Sequence, residues 1–191
     1  MKFTDEEKQI LLKIARDSIK EEFGLAVVDL EREFPEALKQ KCGVFVTLTI
    51  DGELRGCIGY IIGEKPLYEL VYEVAKKSAF EDPRFYPLTK EEVDHIEIEI
   101  SVLSPPKRIK SIDEIKIGEH GLIIRKGPFH GLLLPQVATK YNWSVKEFLE
   151  HTCLKAGLSK TEWKDPQTII EVFSAEVFSE NEIGGKNNVD E

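Results

Sequence analysis

Cysteine, methionine and tryptophan are scarce in this 191-residue chain, at three, one and two residues. Cys42, Cys57 and Cys153 are too few and too scattered for a disulfide framework, and an odd number leaves at least one thiol unpaired. There is no CxxC, no HExxH, no GxSxG elbow and no phosphate loop of the GxxxxGK type. The four histidines, His95, His120, His130 and His151, share no ligand spacing with the cysteines. The nearest pair, His151 and Cys153, stands two positions apart and so faces different ways on a helix. No metal is expected, and the sequence leaves any cofactor unknown.

Long apolar runs are missing as well. None approaches the ~18–20 residues that span a bilayer, and the start, Met1-Lys2-Phe3-Thr4-Asp5-Glu6-Glu7, is acidic rather than a signal peptide. The chain reads as soluble and cytoplasmic, without a membrane partner. Basic charge is in deficit, with 26 Lys+Arg against 35 Asp+Glu and a net charge of −9. Nucleic acid is excluded on that ground, since phosphate contacts need clustered cations. The densest basic stretch, Lys107, Arg108 and Lys110, reads as a solvated turn.

What is present suffices for a core, with 41% hydrophobic and 32% charged residues. Thr4 and Glu7 form a capping-box pattern before a helical stripe of Ile10, Leu11, Ile14, Ala15 and Ser18, with Gly24 as its stop. A short extended piece is expected at Leu25–Leu30 and a helical turn at Pro35-Glu36. Pro66 opens a second helix whose buried stripe is Leu67, Leu70, Val71, Val74, Ala75 and Ser78. Thr89 with Glu92 marks another capped turn. From His95 to Val102 strict alternation predicts a strand with Ile96, Ile98, Ile100 and Val102 inward. A second hairpin is expected around Gly127-Pro128-Phe129-His130, with His130 exposed at its tip. A helix follows from Ser144, a last strand spans Ile169–Phe178, and a disordered tail runs over 179–191. Ser104-Pro105-Pro106 is the expected connection between two lobes. The larger lobe would come from the N- and C-terminal segments and the smaller from the middle. Strands joined as hairpins among helices argue for α+β with mainly antiparallel pairing.

The segment richest in chemistry is the hairpin at Asp51-Gly52, a pair suited to positive φ at both turn positions. A two-residue loop predicts Ile50 opposite Glu53, Leu48 opposite Arg55, Val46 opposite Cys57 and Val44 opposite Gly59. Arg55 and Cys57 would then share the apolar face of Val44, Val46 and Leu48, with Cα atoms about 7 Å apart. An arginine on that face needs a partner, for which Asp82 or Glu81 is the candidate. Gly56 and Gly59 suggest a bulge, which would break this register, or a close approach to the backbone.

Cys57 has two readings. It is a nucleophile or redox thiol activated by Arg55, or a small hydrophobe filling a strand face. Asp82 and Arg84, set between Pro83 and Pro87, form either a self-paired turn or a preorganised substrate site. Gln136, after Leu134-Pro135, is a neutral donor and acceptor or a simple turn cap. His120 and His130 read as turn histidines, and Trp143 and Trp163 as packing anchors.

Leu54-Arg55-Gly56-Cys57-Ile58-Gly59, Asp82-Pro83-Arg84-Phe85 and Gly131-Leu132-Leu133-Leu134-Pro135-Gln136-Val137-Ala138 together closely resemble the AMMECR family. That family is named for a chromosomal region linked to Alport syndrome, midface hypoplasia and elliptocytosis. The resemblance runs in order from about Gly43 to Phe178. It implies a two-lobed α+β domain with antiparallel sheets flanked by helices and a cleft between the lobes. It supplies no settled reaction, and it points to the LRGCIG segment, Leu54–Gly59 here, as the functional patch. Some relatives are associated with Memo-like and radical-SAM proteins. Two functions follow as expectations. One is an enzyme or enzyme component acting on a small anionic substrate, with Cys57 catalytic and Arg55, Gly56, Gly59, Asp82, Arg84 and Gln136 binding substrate. The other is a module that docks a partner protein or peptide on the same patch.

Overall fold

The computed structural model describes residues 2–184. The chain divides into two compact units, Met1–Leu103 with Glu176–Glu191, and Ser104–Ala175. Both are built from helices and antiparallel strands, so the fold class is α+β.

In the first unit, helix α1 (Asp5–Glu21) starts at a complete Thr4–Glu7 capping box, and Gly24 follows with φ 66°. Its buried face carries Leu11, Ile14, Ala15 and Ser18, joined by Leu12 and Ile19. The extended piece expected at Leu25–Leu30 enters no sheet, since the Glu21 carboxylate takes the Val28 amide at 3.2 Å. A 3₁₀ turn (Glu36–Lys39) leads to strands β1 (Gly43–Ile50) and β2 (Glu53–Tyr60), joined by Asp51 and Gly52 at φ 53° and 81°. Helix α2 (Leu67–Phe80) buries the predicted stripe, and β3 (Glu97–Leu103) pairs with the far side of β1. Val44, Val46 and Leu48 of β1 stand beside Val102, Ile100 and Ile98 of β3. All six are at most 1% exposed, and they form the sheet's contribution to one core with α1 and α2.

The β1–β2 register departs from expectation halfway along. Ile50 faces Glu53 and Thr49 faces Leu54, but Leu48 then faces Gly56 and Thr47 faces Cys57. Arg55 is the extra residue of a β-bulge, and every later side chain of β2 changes face. Cys57 is therefore not on the Val44–Leu48 face; it lies on the opposite face beside Thr47. The cause sits on α2. A β-carbon at residue 56 would stand 2.1 Å from the Ser78 carbonyl oxygen, so only glycine fits under the helix. Ser78 Oγ also donates to the Val46 carbonyl at 2.8 Å and accepts the Ile58 amide at 2.9 Å, tying α2 to both strands.

In the second unit, β4 (Lys107–Arg108) and β5 (His120–Lys126) pair with the first part of β7 (Ile169–Ser179), whose residues from Glu176 belong to the first unit, and β6 (Phe129–Leu133) pairs with β5. The β5–β6 loop is Gly127-Pro128. His130 is exposed, but it stands on β6 opposite Arg125 rather than at the tip. Helices α3 (Pro135–Lys140) and α4 (Val145–Lys155) follow, the latter opened by the Ser144–Glu147 capping box. Phe148, Leu149 and Cys153 of α4 meet Leu122, Ile124 and Val172 in this unit's own core, against which Trp143 and Trp163 pack.

The expected tail is corrected at its start. Ser179 closes β7, and α5 (Glu180–Gly184) buries Ile183 in the first unit's core. Glu180 accepts from Arg16 Nε at 3.0 Å and from the Ile98 amide at 3.0 Å, which fastens this segment to the unit. Residues 185–191 lie outside the described residues. Among the described residues, no helix is long and apolar enough to cross a membrane.

Gly56→Ala is expected to lower the unfolding free energy by on the order of 3 kcal/mol, because α2 or β2 must shift to admit the methyl group. Urea denaturation measures this. An unchanged midpoint would show that the close approach is not a constraint.

Candidate functional site

Cys57 is held by the segment that follows α2. The Asp82 carboxylate, 5% exposed as a residue, accepts the Cys57 amide at 2.8 Å through Oδ2. The same oxygen accepts Arg84 Nη2 at 2.7 Å, while Oδ1 takes the Arg84 amide at 3.1 Å and Nε at 3.0 Å. Arg84 Nη2 also donates to the Cys57 carbonyl at 3.2 Å, so both backbone groups of Cys57 are engaged. The Arg84 guanidinium and these amides hold the Asp82 carboxyl far below its ordinary range, against the opposing effect of burial. Asp82 is thus a fixed anion that positions the thiol and the guanidinium.

Arg55 finds a different partner from the one expected. It grips Glu92 through two parallel bonds, Nε to Oε1 at 2.8 Å and Nη2 to Oε2 at 2.9 Å. Its Nη1 donates to the Tyr86 carbonyl at 3.0 Å. The Phe85 ring is near both arginines, its centroid 5.9 Å from Arg55 Cζ and 5.6 Å from Arg84 Cζ. Glu92 also accepts the Thr89 amide at 2.8 Å, so the carboxylate expected to cap this turn also neutralises Arg55. The Arg55 guanidinium, followed by the Thr89 amide, draws the Glu92 carboxyl down from 4.5 to about 2.

On the sheet face away from the core, three residues form a row across three strands. Cys57 of β2 stands opposite Thr47 of β1, which stands opposite Glu99 of β3. The Cys57 Sγ and Thr47 Oγ1 atoms are 3.2 Å apart, and either can donate. Burial pushes the Cys57 thiol up from 9.0; the Thr47 hydrogen bond and Arg84 oppose this, while Asp82 and Glu99 add to it. At neutral pH it rests as a thiol rather than a thiolate. Glu99 is also raised above its ordinary 4.5, by burial first and then by Glu182 and Glu97. Arg84 completes the set, with its side chain 54% exposed.

The predicted residues therefore separate. Cys57, Asp82 and Arg84 meet directly, and Arg55 joins them only through Phe85. Gly56 faces α2, whereas Gly59 lies against the Phe45 ring on the Cys57 face, where a β-carbon would stand 2.3 Å from the ring. Gln136 is exposed at the start of α3 in the second unit. Thr47, Glu99 and Glu92 were not anticipated as members. The alternation of β1 and β3 does put Thr47 and Glu99 on the non-core face; only the shifted register brings Cys57 there too. Among the described residues, no group of three or more His, Cys, Asp and Glu side chains is arranged to hold a metal.

The AMMECR1 family model matches residues 12–178. A protein of Aquifex aeolicus is 51% identical over 167 residues, which is 82% of this chain and 86% of its own. A protein of Nanoarchaeum equitans is 44% identical over 180 residues, covering 90% and 99% of the two chains. The crystal structure of an uncharacterized protein from Pyrococcus horikoshii matches with a TM-score of 0.85 at 40% identity, over 94% of each chain.

Two titrations test the electrostatics. Glu92 has a folded pKa below its ordinary value, so its pairing stabilises the protein above about pH 4.5 and is lost as pH falls toward 2. Glu92→Gln should therefore lower stability at pH 7 and flatten the loss between pH 4.5 and 2. Urea midpoints across that range decide, and an identical acid slope would remove the pair from the account. Glu99 has the opposite sign. Its raised pKa makes the ionised form a cost once pH exceeds 4.5, so Glu99→Gln should raise Tm at pH 8, with the gain vanishing below pH 4.5.

Proposed function

The chain belongs to the AMMECR1 family, and from that premise we propose that it is an enzyme, or a component of one, acting on a small anionic substrate at the outer face of β2. The observation that carries this is the Cys57–Thr47–Glu99 row with Arg84 beside it. A buried thiol needs a base to become a nucleophile. Glu99, partly buried and with its proton affinity raised, suits that task, and Thr47, whose hydroxyl contacts the thiol, occupies the strand position between the two residues. In this reading the Cys57 proton passes through Thr47 to the Glu99 carboxylate, leaving a thiolate toward substrate. The half-exposed Arg84 guanidinium binds the anionic group.

Asp82 and Arg55 serve as positioning residues, since both side chains, unlike that of Arg84, are largely buried as well as engaged by hydrogen bonds inside the protein. Gly59 keeps the face open beside Phe45, and Gly56 sets the register. Gln136, in the second unit, is given no part at this face. Cytoplasmic placement belongs to the same proposal, since Cys57 and Cys153 carry free thiols.

A second reading has one observation in its favour. The thiol pKa is raised rather than lowered, as suits a patch that docks a partner protein or peptide without catalysis. Alkylation separates the two. Cys57 labelling by anionic iodoacetate and by neutral iodoacetamide is followed by mass spectrometry, with a free-thiol peptide as standard. The enzyme reading expects a relative preference for iodoacetate that survives Arg84→Lys and is lost in Arg84→Gln. It also expects Glu99→Gln to slow the reaction. If Glu99→Gln instead speeds it, the carboxylate acts only as a repelling charge and the base role is wrong. No preference for iodoacetate would sink the anion site.

A further inference from the structure

The basic stretch that reads as a solvated turn forms one wall of a cavity of about 660 Å³ in the second unit. Arg108, Ile109, Lys110, Ser111 and Ile112 supply one side, and Trp163, Lys164, Asp165, Pro166, Thr168 and Ile170 the other. The volume falls within the range of small-molecule sites.

Three features of the wall point to a ligand. First, Arg108, Lys110 and Lys164 have no carboxylate at ion-pairing distance among the described residues, in a chain with an excess of acid. The nearby carboxylates are engaged elsewhere. Asp165 binds Lys126 at 2.8 Å, Glu162 binds the same Lys126, and Glu171, across the ladder from Arg108, lies 2.9 Å from Arg125. Glu114 accepts the Lys110 amide at 2.9 Å and stands 3.8 Å from Lys107. Second, the indole Nε1–H of Trp163 is buried and makes no hydrogen bond. That N–H is closed off from the cavity, so the indole offers a ligand its ring rather than a hydrogen bond. Third, the wall is rigid. Thr168 Oγ1 donates to the Glu162 carbonyl at 2.6 Å, and Asp165 Oδ1 accepts the Gln167 amide at 2.7 Å, closing the loop that carries Trp163.

We propose that this cavity binds a small molecule combining a planar ring with an anionic group, either a phosphate ester or a carboxylate. The ring packs against Trp163, Ile109 and Ile170, and the anion meets Arg108 and Lys110. Lys164, whose Nζ lies 5.3 Å from the Trp163 ring centroid, adds positive charge at the aromatic wall. This site is independent of the Cys57 face, and it uses none of that face's residues.

The test follows the two tryptophan indole N–H cross-peaks of the ¹⁵N-labelled full chain, assigned with Trp143→Phe. The probes are adenosine monophosphate, benzoate, adenosine and inorganic phosphate. Saturable movement of the Trp163 peak is expected with adenosine monophosphate or benzoate, and whichever binds more tightly identifies the anion as phosphate or carboxylate. Adenosine and phosphate alone should bind at least about tenfold more weakly, as should adenosine monophosphate or benzoate to an Arg108→Ala/Lys110→Ala variant. Both substituted side chains are exposed, so the circular dichroism spectrum should not change. The proposal is overturned if neither ring-bearing anion moves the peak saturably, if the double variant binds as well, or if adenosine binds as tightly as its phosphate.

Discussion

The Ser78 carbonyl oxygen lies so near β2 that a β-carbon at position 56 would stand 2.1 Å from it, and α2 can press on the strand there only through glycine. Seating Gly56 against the helix forces Arg55 out of the ladder as a bulge. Because side chains alternate across a strand, one inserted residue moves Cys57 from the packed face to the open one. The thiol then meets Thr47 instead of Val46, with Glu99 one strand further along the same row, and the freed arginine reaches Glu92. Core packing and site chemistry are thus set by the same contact.

Charge is managed differently in the two units. Around Cys57 both arginines are matched, Arg55 by Glu92 and Arg84 by Asp82, and each also bonds a backbone carbonyl of a short segment. The least matched charge in that unit's site is Glu99, crowded by Glu97 and Glu182 and partly buried. Groups held away from their ordinary pKa mark functional sites more often than surface pairs do. In the second unit the asymmetry is reversed. Carboxylates there pair with Lys126 and Arg125, while Arg108, Lys110 and Lys164 are left facing a cavity. An overall charge of −9 conceals this local positive region, because a sum over the chain carries no position.

The signals that predicted structure well are short-range ones. Thr4 with Glu7 and Ser144 with Glu147 do close capping boxes, Asp51-Gly52 does turn the hairpin, and the isoleucines of β3 do face inward. Each rests on a handful of adjacent residues whose backbone geometry and periodicity are local properties. The LRGCIG and DPRF strings, Leu54–Gly59 and Asp82–Phe85, are among those that carried the resemblance to the family, and they meet in space through Asp82 and Cys57.

Sequence alone therefore determined most of the elements, the α+β class, the family and the segments that gather at the candidate site. Tertiary structure decided which face Cys57 occupies, which acid neutralises Arg55, and that a basic turn lines a cavity. It also decided that α5, rather than a tail, follows β7, because Ile183 finds a core and Glu180 finds Arg16. The reason is the same in each case. A bulge, an ion pair or a cavity wall depends on a partner distant along the chain, such as Ser78 for Gly56, Glu92 for Arg55 or Trp163 for Arg108. No local pattern around one member carries the position of the other.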